Sequence, residues 1–151
     1  MKKFILASLL LSVLAFSFGC KKDKDEEVKP GVSFKIDGTA WTSTTVLAQH
    51  SGGITQIAAT NADGTLQLVF EGGNTGTFTM STGTTMMIYQ AGFTMYSADE
   101  EMDPAGNINI TKYDASTHTI DGTFSFKGYT SEGNFVNITE GKITNVTYME
   151  Q

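Results

Sequence analysis

The sequence predicts an all-β domain, and three observations support this prediction. First, short segments alternate apolar and polar residues: Val32, Phe34 and Ile36, for example, are separated by Ser33 and Lys35, as expected for a half-buried strand. Second, Gly, Asn and Asp separate these segments at intervals of about ten residues, which is typical of sandwiches and barrels. Third, no window shows a helical period. We therefore expect an antiparallel meander that forms a β-sandwich or a flattened barrel.

The expected strands are rich in Thr, Val, Ile, Phe and Tyr, whose side chains suit a pleated, half-buried surface. A lipocalin-like barrel is the alternative way to close the same strands. The expected strands cover residues 32–36, 39–48, 54–60, 66–70, 77–80, 84–90, 93–96, 107–111, 120–126, 136–138 and 143–148.

Turn signals divide these strands. Asp37-Gly38 predicts a two-residue hairpin, and Asp121-Gly122 repeats the same dipeptide as a second turn former. Ala91-Gly92 is expected to join two further strands. At Glu140-Gly141 the alternation changes phase, which predicts a tight turn or a bulge.

The first residues have the layout of a secretory signal. Lys2 and Lys3 provide the positive end, an apolar run follows over residues 4–18, and Gly19 precedes Cys20, the single cysteine. The run is shorter than the roughly 20 residues that a membrane-spanning helix needs. We therefore expect residues 1–19 to be a removable signal peptide.

Residues 20–30 follow as a short charged segment without bulky apolar side chains until Val28. Such a segment buries too little surface to fold, so it is expected to be a solvated tether. The arrangement around Cys20 resembles a bacterial lipoprotein signal, which implies that this cysteine is lipidated. The Lys and acidic residues of 21–27 resemble the surface-export signal of Bacteroidetes-type lipoproteins. That resemblance implies an outer-membrane lipoprotein on the cell surface, with a periplasm-facing anchor as the alternative.

Composition restricts the partners of the remaining domain, residues 31–151. The whole chain has a formal net charge of −6 and no arginine. Nucleic acid is a poor partner, because binding it requires clustered cations to displace counterions from phosphates. With one cysteine the domain has no internal disulfide, so a single apolar core must stabilise it.

Several motifs, taken in their order along the chain, give a further resemblance. They are residues 34–38 with Trp41, then residues 108–114, 120–126 and 138–143. Together they resemble an uncharacterised family of Bacteroidetes-type lipoproteins that is defined as a domain of unknown function. This resemblance covers residues 32–148 and implies the cellular address and the fold, but no activity and no catalytic residue.

Aromatic side chains are the candidate ligand-binding residues. Trp41, Tyr89, Tyr96 and Tyr113 could form a stacking platform for sugars or line an apolar pocket, as could Phe93 and Tyr129. Met80, Met86, Met87 and Met95 could line an adaptable cavity. Ordinary core and sheet packing is the alternative explanation for each of these side chains.

The sequence contains no recognisable catalytic or metal-binding constellation, so we expect a non-enzymatic protein without cofactor or metal. His50 and His118 are the only histidines, too few for a complete zinc site. The acidic segment 99–103 is the densest set of oxygen ligands, but its spacing matches no calcium loop. A solvated turn explains this segment, and its calcium binding stays open.

These observations favour a surface-displayed binding or accessory module for a glycan or a protein. This hypothesis predicts clustered exposed aromatic side chains. A β-barrel carrier of a small apolar ligand is an alternative and predicts an internal cavity lined by Met and Phe. An envelope structural or inhibitor protein predicts neither feature, and a hydrolase would need a cleft that gathers His50 or His118 with a carboxylate.

Overall fold

The segments with alternating apolar and polar residues form β-strands. A computed structural model describes residues 29–80, 84–101 and 106–151. The predicted signal peptide and Cys20 lie outside these described residues. The eleven strands are β1 Gly31–Ile36, β2 Thr39–Thr42, β3 Thr45–Ser51, β4 Ile54–Asn61, β5 Gly64–Glu71, β6 Gly76–Thr79, β7 Met86–Ala91, β8 Thr94–Ser97, β9 Asn107–Asp114, β10 Thr119–Tyr129 and β11 Phe135–Glu150. The all-β prediction is confirmed.

All strands belong to one mixed sheet with the order β2-β1-β11-β3-β4-β5-β7-β8-β10-β9-β6, and β11 also pairs with β10. The second pairing of β11 closes a ring of β11, β3, β4, β5, β7, β8 and β10. Strands β1 and β2 extend the sheet from β11, while β9 and β6 extend it from β10. This arrangement is consistent with a sandwich or a flattened barrel.

Ring closure depends on a parallel pairing that the expected antiparallel meander did not include. Strand β3 runs parallel to the end of β11, with Ala48 opposite Tyr148 and His50 opposite Glu150. Sequence neighbours cannot form such a pair, because parallel strands need a long connection between them. The other neighbouring strands in the sheet are antiparallel.

The Asp37-Gly38 hairpin forms as predicted. Ile36 pairs with Thr39 across it, and both turn residues have positive φ, 47° and 85°, as a type I′ turn requires. The Asp37 carboxylate also accepts hydrogen bonds of 2.9 Å from the backbone and the side-chain nitrogen of Asn137. The turn is therefore tied to β11 as well as to its own strands.

Strand β11 runs through Glu140-Gly141 without turning, so the bulge alternative is the correct one. Ser33 pairs with Lys142 but Lys35 pairs with Thr139, which leaves one extra residue on β11. Glu140 has a φ of 52° at this point. The two short strands expected over 136–148 are consequently one bulged strand.

The strand expected over 120–126 is part of β10, so the indication that Asp121-Gly122 forms a turn is wrong. The register of β10 against β11 shifts between Ile120 and Gly122, opposite Asn145, whose φ is 45°. The Asp121 carboxylate accepts a 2.6 Å hydrogen bond from the Asn145 backbone. The Asp121 carboxylate therefore accepts from a backbone N–H at a bulge of β11 and does not stabilise a hairpin turn.

Two other boundaries differ from the expectation. The strand expected over 39–48 is divided into β2 and β3, because the chain leaves β1 at Ser43 and Thr44. The Ser43 backbone donates to Val32 and the Thr44 backbone donates to Thr60, so the two residues bridge different strands. The turn between β7 and β8 is Gly92-Phe93 rather than Ala91-Gly92, since Ala91 pairs with Thr94.

The inward faces of the strands form one apolar cluster. Phe34 lies near its centre, stacked on Trp41 at 4.4 Å and in edge contact with Tyr89 and Phe124 at 5.9 and 5.8 Å between ring centroids. The other large buried members are Val32, Ile57, Leu66, Leu68, Phe70, Met87, Ile108, Ile110, Ile120, Phe126, Ile138, Ile143, Val146 and Tyr148.

Within the part of the chain that the structure describes, no helix is long and apolar enough to cross a membrane.

Candidate functional site

The candidate site is an open groove at the weakest junction of the ring, which we call the seam groove. It lies where β8 meets β10, and these strands pair only at Ser97 and Tyr129. The groove has a volume of about 730 Å³. It is lined by Phe93, Thr94, Met95, Tyr96, Ser97, Asp99, Tyr129, Thr130, Ser131, Glu132 and Asn134.

Apolar and aromatic side chains make up one part of this lining. Phe93, at the tip of the β7–β8 turn, is fully exposed, and the neighbouring Met95 is 56% exposed. Tyr96 and Tyr129 are half-buried. The apolar surface of a fully exposed phenylalanine is unfavourable in water, and contact with a ligand would bury that surface.

A second aromatic pair borders the groove. The ring centroids of Tyr129 and Phe135 are 6.1 Å apart. The Lys127 ammonium lies over both rings, 3.8 Å from the Phe135 centroid and 5.3 Å from that of Tyr129. Lys127 is not among the lining residues, so Asp99 and Glu132 are the charged side chains of the groove lining.

Hydrogen bonds fix the far wall of the groove, the turn between β10 and β11. The Thr130 backbone donates to the Asn134 carbonyl at 2.8 Å, and Gly133 donates to the Thr130 carbonyl at 3.0 Å. The Thr130 hydroxyl in turn accepts from the Asn134 backbone at 3.1 Å. These bonds close the turn on itself and fix the conformation of this wall of the groove.

Of the four predicted ligand-binding residues, the structure brings one to this groove. Tyr96 lines it, whereas Trp41 and Tyr89 are buried in the core. Tyr89 donates a 3.4 Å hydrogen bond to the Asp63 carbonyl, and burial, followed by the charge of Asp63, raises its pKa. Trp41 and Tyr89 therefore cannot form an exposed stacking platform in this conformation.

Tyr113, the fourth predicted residue, lies in a separate aromatic cluster with both histidines. Its ring packs 4.8 Å from Tyr148, and Tyr148 lies 5.3 Å from His118 and 6.5 Å from His50. Strand β11 brings the histidines together, since Tyr148 donates from its backbone to the His118 carbonyl at 2.9 Å. The two histidines are 68 positions apart in the sequence. No sequence pattern therefore indicated that both would lie beside Tyr148.

The cluster does not assemble the hydrolase arrangement. The His50 imidazole lies 3.0 Å from the Thr55 hydroxyl, but Thr55 is buried and donates to the Gly72 carbonyl at 2.7 Å. The carboxylate nearest to a histidine is Glu150, 3.7 Å from His118. A buried hydroxyl that already donates to a carbonyl cannot reach a substrate, so Thr55 is not placed as a nucleophile beside His50.

Tyr148 leads to a testable prediction, because its hydroxyl is buried and makes no hydrogen bond of good geometry among the described residues. Burial is the main cause that raises its pKa to about 12, with a smaller contribution from Tyr113. A raised pKa adds stability below pH 10 that is lost as the pH rises towards 12. We expect Tyr148→Phe to leave the free energy of unfolding at pH 7 unchanged or raise it by up to about 1 kcal/mol, since an unbonded hydroxyl is removed.

Urea unfolding at pH 7, 10 and 11.5, followed by the fluorescence of the single tryptophan, measures this effect. The variant should lose less stability than the original protein between pH 10 and 11.5. A clear loss of stability in the variant at pH 7 would show that the hydroxyl has a partner in solution.

Metal binding finds no support among the described residues, where no group of three or more His, Cys, Asp or Glu side chains is arranged to hold an ion. At the start of the acidic segment the Asp99 carboxylate accepts from the Glu101 backbone at 3.0 Å, which is an Asx turn. Asp103, the last residue of the acidic segment, lies outside the described residues.

Sequence reasoning missed Phe135 and the turn residues 130–134 as parts of the groove region. Phe135 follows a turn signal and shows no pattern that distinguishes it from a strand residue. Phe135 comes to the border of the groove because it pairs with Tyr129 in the β10–β11 ladder. No local signal could have found it.

The fold and the groove define a single-sheet all-β protein with an open surface site at its seam. The chain belongs to the family described as Domain of unknown function (DUF6252), which matches residues 28–147. No curated protein and no solved structure shows significant similarity to the chain.

Proposed function

We propose that this domain is a binding module that takes an extended segment of a glycan or a polypeptide in the seam groove. The single observation that carries the proposal is the exposed aromatic and carboxylate lining of the groove at an open strand junction. Aromatic rings stack on sugar faces or on peptide side chains, and carboxylates accept hydrogen bonds from hydroxyl or amide groups. The exposed ring of Phe93 is the expected anchor.

The interior is a weaker candidate site than the groove. A carrier of a small apolar ligand needs an internal cavity, whereas Met87, Phe34 and Phe124 are packed into the apolar cluster. An envelope structural or inhibitor role needs neither groove nor cavity, and failure of the binding experiment below would favour it.

The proposal includes an address. We infer that Cys20 carries a lipid that anchors the protein to the outer membrane, with the domain displayed on the cell surface. The positive end, apolar run and Gly19-Cys20 junction of the first 20 residues support this inference. Replacing Cys20 with serine should move the protein from the membrane fraction to the soluble fraction, and unchanged membrane retention would refute the anchor.

Arrays of oligosaccharides and of extended peptides, probed with the full-length chain in mild detergent, test the binding function. We expect Phe93→Ala to weaken binding of any ligand found by about tenfold, as loss of one anchor side chain does. Leu47→Ala is the matched control, because Leu47 is a 64% exposed apolar side chain outside the groove. Equal binding by Phe93→Ala and the original protein would contradict the proposal, as would the absence of any ligand in both classes.

A further inference from the structure

Beyond Ser97, the edge of strand β8 that faces the seam groove pairs with no strand among the described residues. The backbone of Ala98 donates to the Met87 carbonyl at 2.9 Å, so residues 87 and 98 form a hydrogen-bonded pair of the β7–β8 ladder. In an antiparallel ladder, hydrogen-bonded and non-hydrogen-bonded pairs alternate. With Gln90 opposite Met95, the N–H and C=O of Met95 therefore point away from β7 and towards β10.

Strand β10 does not reach the position that would pair with Met95. Ser97 pairs with Tyr129, so an antiparallel continuation would place Ser131 opposite Met95. Ser131 instead lies in the turn that the Thr130 and Asn134 hydrogen bonds close. The seam groove occupies the space that this missing continuation leaves, and its lining includes both Met95 and Ser131.

An open strand edge is a template for pairing with another extended chain. A polypeptide can satisfy the Met95 N–H and C=O by strand addition, with main-chain hydrogen bonds giving affinity and side-chain contacts giving specificity. A glycan has no regular alternation of N–H and C=O groups with the spacing of a strand. The backbone geometry therefore selects a polypeptide.

The side chains around this edge indicate the composition of that polypeptide. Phe93 and Tyr96 line the groove together with Met95 and offer apolar and aromatic contacts, while Asp99 and Glu132 add negative charge to the groove. The chain as a whole also has a net charge of −6. Charge complementarity favours a segment with basic side chains.

We propose that the ligand of the seam groove is an extended, basic segment of another protein, which adds to the edge of β8 and pairs with Met95. This inference rests on the proposed function and narrows it to one class of ligand. Strand β2, also at an edge of the sheet, is a poorer template, because its Thr42 carbonyl already accepts a 3.0 Å hydrogen bond from Asn61.

The test uses the full-length chain in mild detergent and synthetic nonapeptides in which lysine alternates with valine, threonine or tyrosine. For the peptide that binds best, each backbone nitrogen is methylated in turn. We expect methylation to weaken binding by about three- to tenfold at alternate residues and to have little effect at the residues between them, since only alternate N–H groups face β8. A scan without this two-residue period would overturn strand addition.

Variants of Met95 provide the second arm. Met95→Pro removes the N–H that faces the groove without removing a β7–β8 hydrogen bond, and edge strands tolerate proline there. Met95→Ala is the matched control, which removes the side chain but retains the N–H. We expect the proline variant to lose about three- to tenfold more affinity than the alanine variant, while both retain the unfolding transition of the original protein.

The outcomes separate this inference from the function on which it depends. If oligosaccharides bind in a Phe93-dependent manner and the nonapeptides do not, strand addition is refuted and the binding function stands. Binding of neither class refutes both. If the protein associates with itself without peptide, and Met95→Pro abolishes that association, the partner is a second copy of this chain and the proposal of a foreign segment is wrong.

Discussion

Replacing Trp41 with alanine is expected to lower the free energy of unfolding by about 3–5 kcal/mol, the range for large aromatic side chains removed from a core. Trp41 is 3% exposed and stacks on Phe34, which also contacts Tyr89 and Phe124. Its removal would leave a cavity beside the ring of Phe34, which Tyr89 and Phe124 contact from other strands.

Urea unfolding followed by circular dichroism measures this loss as a lower midpoint at an unchanged slope. Phe93→Ala is the control, because an exposed side chain without core contacts should change stability by no more than about 0.5 kcal/mol. A loss below about 1 kcal/mol for Trp41→Ala would place this side chain at the surface and revive the stacking platform that the sequence suggested.

Gly141→Ala is expected to destabilise the domain by about 3 kcal/mol, the upper end of the usual cost of overpacking a core. A Cβ atom at this position would collide with the carbonyl oxygen of Phe124 and lie 2.6 Å from its ring atom Cδ2. Gly141 is the direct partner of Phe124 in the β10–β11 ladder. Relief of the collision would therefore separate two central strands or displace a core ring.

Gly38→Ala separates this steric effect from backbone strain. A Cβ at Gly38 meets no atom within 4 Å, but the φ of +85° disfavours any side chain. We expect a cost of about 1 kcal/mol there. Equal losses in the two variants, measured by urea unfolding, would show that the Gly141 contact is relieved without cost.

The strands were predictable from the sequence because their signal is local. Val32, Phe34 and Ile36 alternate with polar residues, and Asp37-Gly38 ends the strand with the residues that a type I′ turn requires. The same dipeptide at Asp121-Gly122 gave the wrong prediction, because pairing with β9 and β11 on both sides overrides turn propensity. Local patterns identify strands but do not determine which strands become neighbours.

The candidate site was predictable only in part for the same reason. Aromatic residues were recognised as candidates, yet Trp41 and Tyr96, which each follow an apolar residue and precede a hydroxyl residue, have opposite positions in the fold. Trp41 faces Phe34 across the β1–β2 ladder, whereas Tyr96 lies at the seam. That difference arises from the pairing of β8 with β10 at Ser97 and Tyr129, which no short pattern encodes.

The pairing of early strands with β11 has a consequence for synthesis. Lys35 forms a 2.7 Å ion pair with Glu140, 105 positions later in the chain, and β3 also pairs with β11. Contacts between such distant positions slow folding. A ribosome adds about 5–20 residues per second. Strand β11 is therefore synthesised on the order of ten seconds after β1 and β3. During that interval their unpaired edges are open to aggregation, and this is when a chaperone that holds extended chains would have its greatest effect on yield.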